Sequence, residues 1–261
     1  MIPALWISKT GLDAQQTNIS VVSNNLANAS TVGYKKGRAI FQDLLYQKIN
    51  QPGGRSTTDS YLPEGLMLGA GAKVVATQKD FGQGDVETTD NSFDLMIQGR
   101  GFFEIELPDG TTAYTRNGQF TKDDEGTIVT SEGFPLLPEI QVPDNATSIT
   151  VARDGQVSVV VGNETGSTDL GQITVTDFIN PAGLEPIGEN LYLETEASGA
   201  PQQGIGGEDG MGYIRQSMLE TSNVQVTEEL VNLIQAQRVY EMNSKVLTVV
   251  DDMMGTLIQS V

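Results

Sequence analysis

Apolar residues recur every seven positions at both ends of this 261-residue chain, and this repeat constrains the fold more than any other feature. A spacing of seven places side chains in one stripe along an α-helix, as in a coiled coil. The pattern predicts one long helix at each end, each carrying a coiled-coil-like seam. The N-terminal seam consists of Leu5, Leu12, Ile19 and Leu26, and the C-terminal seam of Leu219, Val226, Leu233, Tyr240, Leu247, Met254 and Val261.

Local signals set the expected ends of both helices. Pro3 suits the first turn of the N-terminal helix, and Gly33, after two β-branched residues, predicts its end near Ala29. Ser222 and Gln225 have the spacing of a capping box, so the C-terminal helix is predicted to begin there and to continue to the end of the chain.

The N-terminal helix is made of poor helix formers. Such a helix is marginal in isolation, because asparagine and serine compete for the backbone hydrogen bonds. We therefore expect the terminal helices to become ordered when they pack together and against neighbouring copies, although a self-contained hairpin of the two helices has the same spacing. The weak formers are Asn18, Ser20, Ser23, Asn24, Asn25 and Asn28.

Short strands and turns are predicted between the helices, from about residue 70 to 213. Alternation in Phe103-Glu104-Ile105-Glu106 predicts a strand with one dry and one solvated face. The fold class expected is α+β, with a central all-β domain like a meander or sandwich. The turn pairs that separate the strands are Asp109-Gly110, Asn117-Gly118, Glu125-Gly126, Glu132-Gly133 and Asp154-Gly155.

Four regions follow from these patterns. Residues 1–45 hold the N-terminal assembly helix and the segment after it, and residues 46–87 form an extended connecting stretch. Residues 88–205 form an acidic β domain, and residues 206–261 hold a connector and the long C-terminal assembly helix. Loop-like composition at 51–59 and 199–212 is expected to mark the joints.

Charge is distributed unevenly along the chain. Residues 1–60 hold six Lys+Arg against three Asp+Glu, whereas residues 61–261 hold nine against 31. A formal net charge of −19 argues against nucleic acid as a partner and against an anionic membrane surface. The chain has no run of about 18 apolar residues, so direct membrane insertion is not predicted. Its apolar start is too short for a cleaved signal peptide.

The chain has no His and no Cys, which excludes several kinds of site. A thiol nucleophile, a Ser-His-Asp triad, a disulfide and a thiolate or imidazole zinc site all need one of these residues. Asp80-Phe81-Gly82 spells a kinase triplet, but a kinase also needs a catalytic-loop His. We predict no catalytic, cofactor-binding or metal-binding residues. The alternative is a secreted carboxylate-based enzyme, or a binding module, with its site on the β domain.

At its two ends, in residues 23–36 and in residues 222–224, 228–234 and 237–241, the chain resembles one known family, the bacterial flagellar axial proteins of the rod, hook and hook-associated group. The C-terminal resemblance lies in Ser222-Asn223-Val224 and in 228–234 and 237–241. Residues 69–77, 94–103 and 114–116 are similar to distal-rod members of that family. The N-terminal resemblance lies in 23–36 and includes Asn24, Asn25, Leu26, Ala27, Asn28, Gly33 and Tyr34.

The resemblance implies a structural subunit of the distal rod. It would polymerise helically through its terminal helices into a rigid hollow drive shaft that transmits motor torque to the hook and encloses the export channel. The stretch that includes Tyr46, Pro52, Tyr61 and Leu68 is associated in this family with rigidity.

The resemblance also implies partners and a location. The partners would be other copies of the chain, proximal-rod proteins, hook protein, the peptidoglycan-ring and outer-membrane-ring proteins, and the flagellar type III export apparatus. The location would be the basal body in the periplasmic space, reached without a cleaved signal peptide.

Overall fold

A computed structural model describes residues 2–50, 64–162, 166–208 and 210–259. The chain divides into two compact units. The helical unit comprises Met1–Ala27, Gly37–Lys79 and Gln225–Val261, and the β unit comprises Asn28–Lys36 and Asp80–Val224. The polypeptide therefore passes between the units four times.

The predicted helix at each end is confirmed. Helix α1 spans Ile2–Ala27 and helix α2 spans Val226–Gln259. The predicted start of α2 is wrong, because the first helical hydrogen bond runs from the Glu229 amide to the Gln225 carbonyl at 3.0 Å. Ser222 lies before the helix and accepts a hydrogen bond from the Val224 amide instead of capping it.

Within the helical unit α1 and α2 pack against each other and run in opposite directions. Near the end of α1, the Asn25 amide donates to the Glu229 carboxylate near the start of α2 at 3.2 Å. Further along, a Cβ on Gly11 would lie 3.0 Å from the side-chain nitrogen of Asn243. Gly11 therefore lets the two helices approach closely.

The rest of the helical unit is a two-stranded ribbon that packs on α1. Strands β1 and β4 pair antiparallel, and β2 and β3 continue the same hairpin. Gly71, in the turn before β4, has a φ of +111°, and a Cβ there would overlap the Thr10 hydroxyl of α1. The strands are β1 Gly37–Asp43, β2 Tyr46–Asn50, β3 Leu66–Gly69 and β4 Ala72–Lys79.

The first half of the β unit follows the predicted turns. Gly110, Gly126, Gly133 and Gly155 all have positive φ in tight turns, as their dipeptides predicted. The strands before residue 140 are β5 Val86–Thr88, β6 Leu95–Gln98, β7 Phe103–Glu106, β8 Thr112–Thr115, β9 Phe120–Lys122, β10 Ile128–Thr130 and β11 Leu136–Leu137.

The second half supplies partners for the first. All pairings are antiparallel, and the largest sheets have the orders β11-β7-β8-β17-β16 and β12-β13-β14. The strands are β12 Ala146–Val151, β13 Gln156–Val161, β14 Ser167–Gln172, β15 Val175–Asp177, β16 Glu185–Gly188, β17 Leu191–Leu193, β18 Gln202–Gly204, β19 Tyr213–Gln216 and β20 Met218–Glu220.

Three expectations from the sequence differ from the structure. Strands begin at Gly37 rather than near residue 70, because β1 and β2 pair with β4 and β3. Leu219 lies on β20 and is 5% exposed, so it is not part of a helical seam. Glu104 is 3% exposed, because Thr176 and Gln203 cover the face of β7 that was expected to be solvated.

Candidate assembly surface

Helix α2 carries many exposed apolar side chains along its length. Val231 and Met242, for example, are 63% and 59% exposed. A helix that keeps such side chains in water loses the stabilisation that their burial would give. The exposed set on α2 is Val226, Leu230, Val231, Ile234, Tyr240, Met242, Val246, Val249 and Met253.

The predicted seam residues described on α1 and α2 are half-buried or exposed rather than fully buried. Leu5, Leu12, Ile19 and Leu26 on α1 are half-buried, and so are Leu233, Leu247 and Met254 on α2. Val226 and Tyr240 are exposed, and Val261 lies outside the described residues. The fully buried side chains are small or polar instead, namely Ser8, Ala14, Val22 and Asn25 on α1 and Glu229, Ala236 and Val250 on α2.

The ribbon presents a second exposed apolar surface. Leu45, between β1 and β2, is 89% exposed, and the side chains around it lie on both strands of the hairpin. A pocket of about 280 Å³ lies between the start of α1 and the β2–β3 hairpin, with Trp6 and Leu68 in its wall. The exposed ribbon residues are Ile40, Phe41, Leu45, Tyr46, Ile49, Leu66, Met67, Leu68 and Val75.

Two of the predicted rigidity residues belong to this ribbon. Tyr46 begins β2 and pairs with Gly69, and Leu68 on β3 pairs with Gln47. Both side chains are exposed. The other two residues, Pro52 and Tyr61, lie outside the described residues.

The signature residue Asn25 fixes the start of the ribbon to α1. Its side-chain oxygen accepts from the Gly37 amide at 2.8 Å, and its side-chain nitrogen donates to the Gly37 carbonyl, also at 2.8 Å. The same nitrogen donates to Glu229 on α2. One buried amide therefore joins α1, β1 and α2, while its signature neighbours Asn24 and Ala27 are exposed and Leu26 is half-buried.

The remaining signature residues lie in the β unit. Asn28 accepts a hydrogen bond from the Thr31 hydroxyl at 3.2 Å, and Tyr34 is 7% exposed. Gly33 has a φ of +70°, and a Cβ there would lie 2.7 Å from the Asn117 amide nitrogen. A larger residue at Gly33 would push this part of the segment 28–36 away from the backbone of Arg116 and Asn117.

A buried cluster of three charges anchors this segment. Lys35 Nζ lies 2.6 Å from Glu220 Oε1, and the Arg116 guanidinium lies 3.3 Å from Glu220 Oε2. Burial lowers the pKa of Lys35, and the adjacent Glu220 carboxylate opposes that shift. Burial also lowers the pKa of Arg116, again opposed by Glu220.

Backbone groups add further partners to the cluster, while the buried Arg116 Nε has no hydrogen-bond partner among the described residues. Lys35 also donates to the Gly82 carbonyl at 2.8 Å, and Glu220 accepts from the Gly84 amide at the same distance. Arg116 donates to the carbonyls of Ile97 and Gly99. Since every charge has partners in the protein, the arrangement is that of a structural anchor.

Glu220 and Asn223 were missed as functional residues by sequence reasoning. Neither lies on a periodic stripe, and Glu220 follows Leu219, which the seven-residue repeat had placed on a helix. Asn223 is part of the C-terminal signature, and its side chain binds the Lys36 amide and the Asp80 carbonyl. The resemblance was therefore the signal that could have found it.

Neither a metal site nor a membrane span is found in the part of the chain that the structure describes. Within residues 2–50, 64–162, 166–208 and 210–259, acidic side chains do not converge in a group suited to a metal ion. No described helix is long and apolar enough to cross a membrane.

Comparison with known proteins gives matches along most of the chain. Residues 6–35 match the "Flagella basal body rod protein" family model, residues 96–159 the "Flagellar hook protein FlgE/F/G D1 domain" and residues 215–260 the "Flagellar basal body rod FlgEFG protein C-terminal". The match at 6–35 includes the signature, and the match at 215–260 includes α2.

Full-length relatives are similar throughout. A flagellar basal-body rod protein FlgG of Buchnera aphidicola is 52% identical, over 99% of this chain and 100% of the relative. The FlgG proteins of Agrobacterium fabrum and Bacillus subtilis are 46% and 36% identical, over 96% and 99% of this chain and 96% and 98% of their own lengths.

Proposed function

The chain belongs to the FlgG family of flagellar basal-body rod proteins, which form the distal rod, and on that premise we propose that it polymerises helically through its terminal helices into a rigid hollow shaft. It is a structural rod subunit of the flagellum. The alternative of a carboxylate-based enzyme or binding module has no support from these relatives, whose names are those of rod proteins.

One observation carries the proposal for how the subunits join. Of the 24 large apolar side chains that are exposed among the described residues, 20 lie in the helical unit. Burying a Val, Leu or Ile side chain contributes roughly 1.5–3 kcal/mol. Contact between helical units of neighbouring copies would therefore stabilise a polymer strongly.

We assign the packing between copies to both helices. The seam would use the half-buried and exposed stripe of Leu5, Leu12, Ile19 and Leu26 on α1 and Val226, Leu233, Tyr240, Leu247 and Met254 on α2. These side chains keep part or most of their surface exposed, which another copy could cover. In the shaft, the helices would form the inner layer around the export channel, and the acidic β unit would lie outside.

The ribbon is proposed as the source of rigidity. Its exposed apolar side chains, including Tyr46 and Leu68, would interdigitate with neighbouring copies. Close-packed interfaces resist shear, because a small gap already loses much of the dispersion energy. The stretch 46–68, which also contains Pro52 and Tyr61, would then make the shaft stiff enough to transmit torque from the motor to the hook.

The neighbours proposed for the rod follow from its place in the flagellum. Proximal-rod proteins would adjoin it on one side and hook protein on the other, with the peptidoglycan and outer-membrane rings around it. The subunit would act in the periplasmic space, exported by the flagellar type III apparatus without a cleaved signal peptide.

The decisive experiment compares matched apolar-to-aspartate variants. Leu233→Asp and Leu247→Asp should each abolish polymerisation, measured by sedimentation and electron microscopy, while thermal unfolding of the β unit stays unchanged. Ile179→Asp is the control, because Ile179 is a 75% exposed apolar residue of the β unit. Normal polymers from both leucine variants would reject the helical seam.

A further inference from the structure

Two arginines meet at a pocket on the otherwise acidic β unit. The pocket has a volume of about 330 Å³. On β19, Tyr213 and Arg215 are two positions apart and so point to the same face, while Ile214 between them is buried. The lining residues are Gln83, Gln98, Gly99, Arg153, Tyr213 and Arg215.

The backbone holds these side chains in place. Tyr213 lies opposite Gln98 in the pairing of β19 with β6. Arg153 lies in the β12–β13 turn, and its carbonyl accepts from the Ile214 amide at 3.0 Å. A Cβ on Gly207 would lie 2.4 Å from the Tyr213 ring, so the ring rests against that glycine. Strand pairing and a fixed turn therefore define the pocket.

The guanidinium groups of this pocket are not neutralised by described residues. The other arginines of the β unit are paired, Arg100 with Asp177 at 3.5 Å and Arg116 with Glu220. Within the part of the chain that the structure describes, neither Arg153 nor Arg215 makes an ion pair, and Arg215 contacts only the Met218 sulfur at 3.8 Å as a polar partner.

The nearest carboxylate in sequence, that of Asp154, forms no ion pair with either arginine among the described residues. Asp154 accepts a hydrogen bond from the Gln156 amide at 3.1 Å. The pocket therefore offers two planar guanidinium groups, a phenol and side-chain amides to an external group. A guanidinium fork matches a carboxylate in shape and charge, and it can donate two parallel hydrogen bonds to it.

We propose that this arginine pocket binds the acidic turn Asp123-Asp124-Glu125 of a second copy of the chain and so joins the β units of neighbouring subunits. This inference rests on the proposed function, because it requires a homopolymer. Residues 88–213 hold 21 Asp+Glu against four Lys+Arg, so β units brought together in a polymer would repel one another. A contact between the unpaired arginines and acidic side chains turns part of that repulsion into attraction.

The acidic turn suits this contact in both position and charge. Its three carboxylates are consecutive and all exposed, at the end of the β9–β10 hairpin. The Gly126 amide donates to the Asp123 carbonyl at 3.0 Å, which fixes the shape of the turn. Arginine pocket and acidic turn are different surfaces, so the contact runs head to tail and can repeat along a polymer.

The test exchanges the charges of the arginine pocket and the acidic turn. The quantity measured is the critical concentration for polymerisation. Arg153→Glu with Arg215→Glu should raise it about tenfold, since each lost ion pair is worth up to about 1 kcal/mol and repulsion adds to the loss. Asp123→Lys with Asp124→Lys should raise it similarly. All four changes together should return it close to the wild-type value.

Two controls protect this comparison. Arg100→Glu makes the same charge change outside the pocket and should shift the critical concentration less than about twofold. If circular dichroism shows that the glutamate pair does not fold, the milder pair Arg153→Gln and Arg215→Gln replaces it. The glutamine pair should raise the critical concentration about threefold.

Either of two results would overturn the arginine–turn contact. One is assembly of the arginine variants at the wild-type critical concentration. That result would overturn the contact even if the variants had lost binding to a different protein. The other is failure of the fourfold exchange to restore assembly. Both are distinct from failure of the proposed function, in which the wild-type chain would not polymerise or Leu233→Asp would polymerise normally.

Discussion

The two units of this protein differ in where their apolar side chains lie. Of the 31 buried apolar residues among the described positions, 27 belong to the β unit, which has three hydrophobic clusters. The helical unit has four, yet it has 20 of the 24 large apolar side chains that are exposed. The β unit therefore contains its own core, whereas the helical unit needs other molecules to complete one.

This difference separates stability from assembly. A substitution in the β unit should change its free energy of unfolding in dilute solution and leave the polymer contacts intact. A substitution on the exposed face of the helical unit should do the opposite. The following predictions test this separation, from the largest expected change in unfolding free energy to none.

The largest effect should come from Glu220→Ala. Removing this carboxylate leaves Lys35 and Arg116 buried without their ion-pair partner, which costs about 3–5 kcal/mol. Chemical denaturation of the dilute protein should show this loss in the β-unit transition. Glu87→Ala, on the strand paired with β20 but exposed, is the control and should change stability by less than about 0.5 kcal/mol. Equal stability of the two variants would mean that the buried cluster is not an anchor.

A matched pair of apolar truncations comes next. Ile105→Ala opens a cavity at a fully buried position of the β unit and should lower its unfolding free energy by about 2–5 kcal/mol. Val231→Ala, at a side chain 63% exposed on α2, should change it by less than about 0.5 kcal/mol and instead raise the critical concentration for assembly. The comparison between units fails if Val231→Ala destabilises the dilute protein as much as Ile105→Ala does.

A smaller effect is expected for Asn223→Ala. Its side chain accepts from the Lys36 amide at 2.7 Å and donates to the carbonyls of Asp80 and Gly82. Loss of these hydrogen bonds should lower the stability of the β unit by about 1–3 kcal/mol. Hydrogen exchange should show faster opening near residues 36 and 80, while Asn223→Asp should retain the acceptor and part of the protection. Unchanged exchange in the alanine variant would contradict this assignment.

No loss of β-unit stability is expected when residues 48–64 are deleted. The deletion removes the last three residues of β2 and the stretch up to residue 64, and it leaves the sequences of both helices and of the β unit intact, so the subunit should still assemble. Its polymer should bend more easily, measured as a shorter persistence length in electron micrographs. A polymer as stiff as the wild type would show that rigidity arises elsewhere in the subunit.

Local signals predicted the helices and turns well. Proline and glycine placed the ends of α1 within a few residues, and four of the Gly-containing dipeptides became turns with positive φ. The ribbon was not predicted before residue 70, because the residues of β1 and β2 pair with partners 16 to 42 positions away and keep many apolar side chains exposed. Alternation alone cannot reveal a partner so distant in sequence.

The candidate site was predicted less completely than the fold. The seven-residue repeat continued by coincidence into β20, so Leu219 was assigned to a helix and its neighbour Glu220 was not considered. Glu104 was expected in solvent, because the pattern of β7 cannot show that β15 and β18 supply Thr176 and Gln203 above it. In both cases a buried carboxylate was missed because its partners lie far along the chain.

The four passages of the chain between the two units also matter for how the subunit bears force. A protein whose units are joined by a single linker carries any load between them through one backbone, whereas this chain crosses between its units four times. On the β-unit side, Asn223 and the hydrogen bond from the Asp80 amide to the Lys36 carbonyl at 2.9 Å fasten three of these passages to one another. Bonds loaded side by side must break together. Under a suddenly applied force they therefore give a lower rate of forced unfolding than the same bonds would give if they broke one after another.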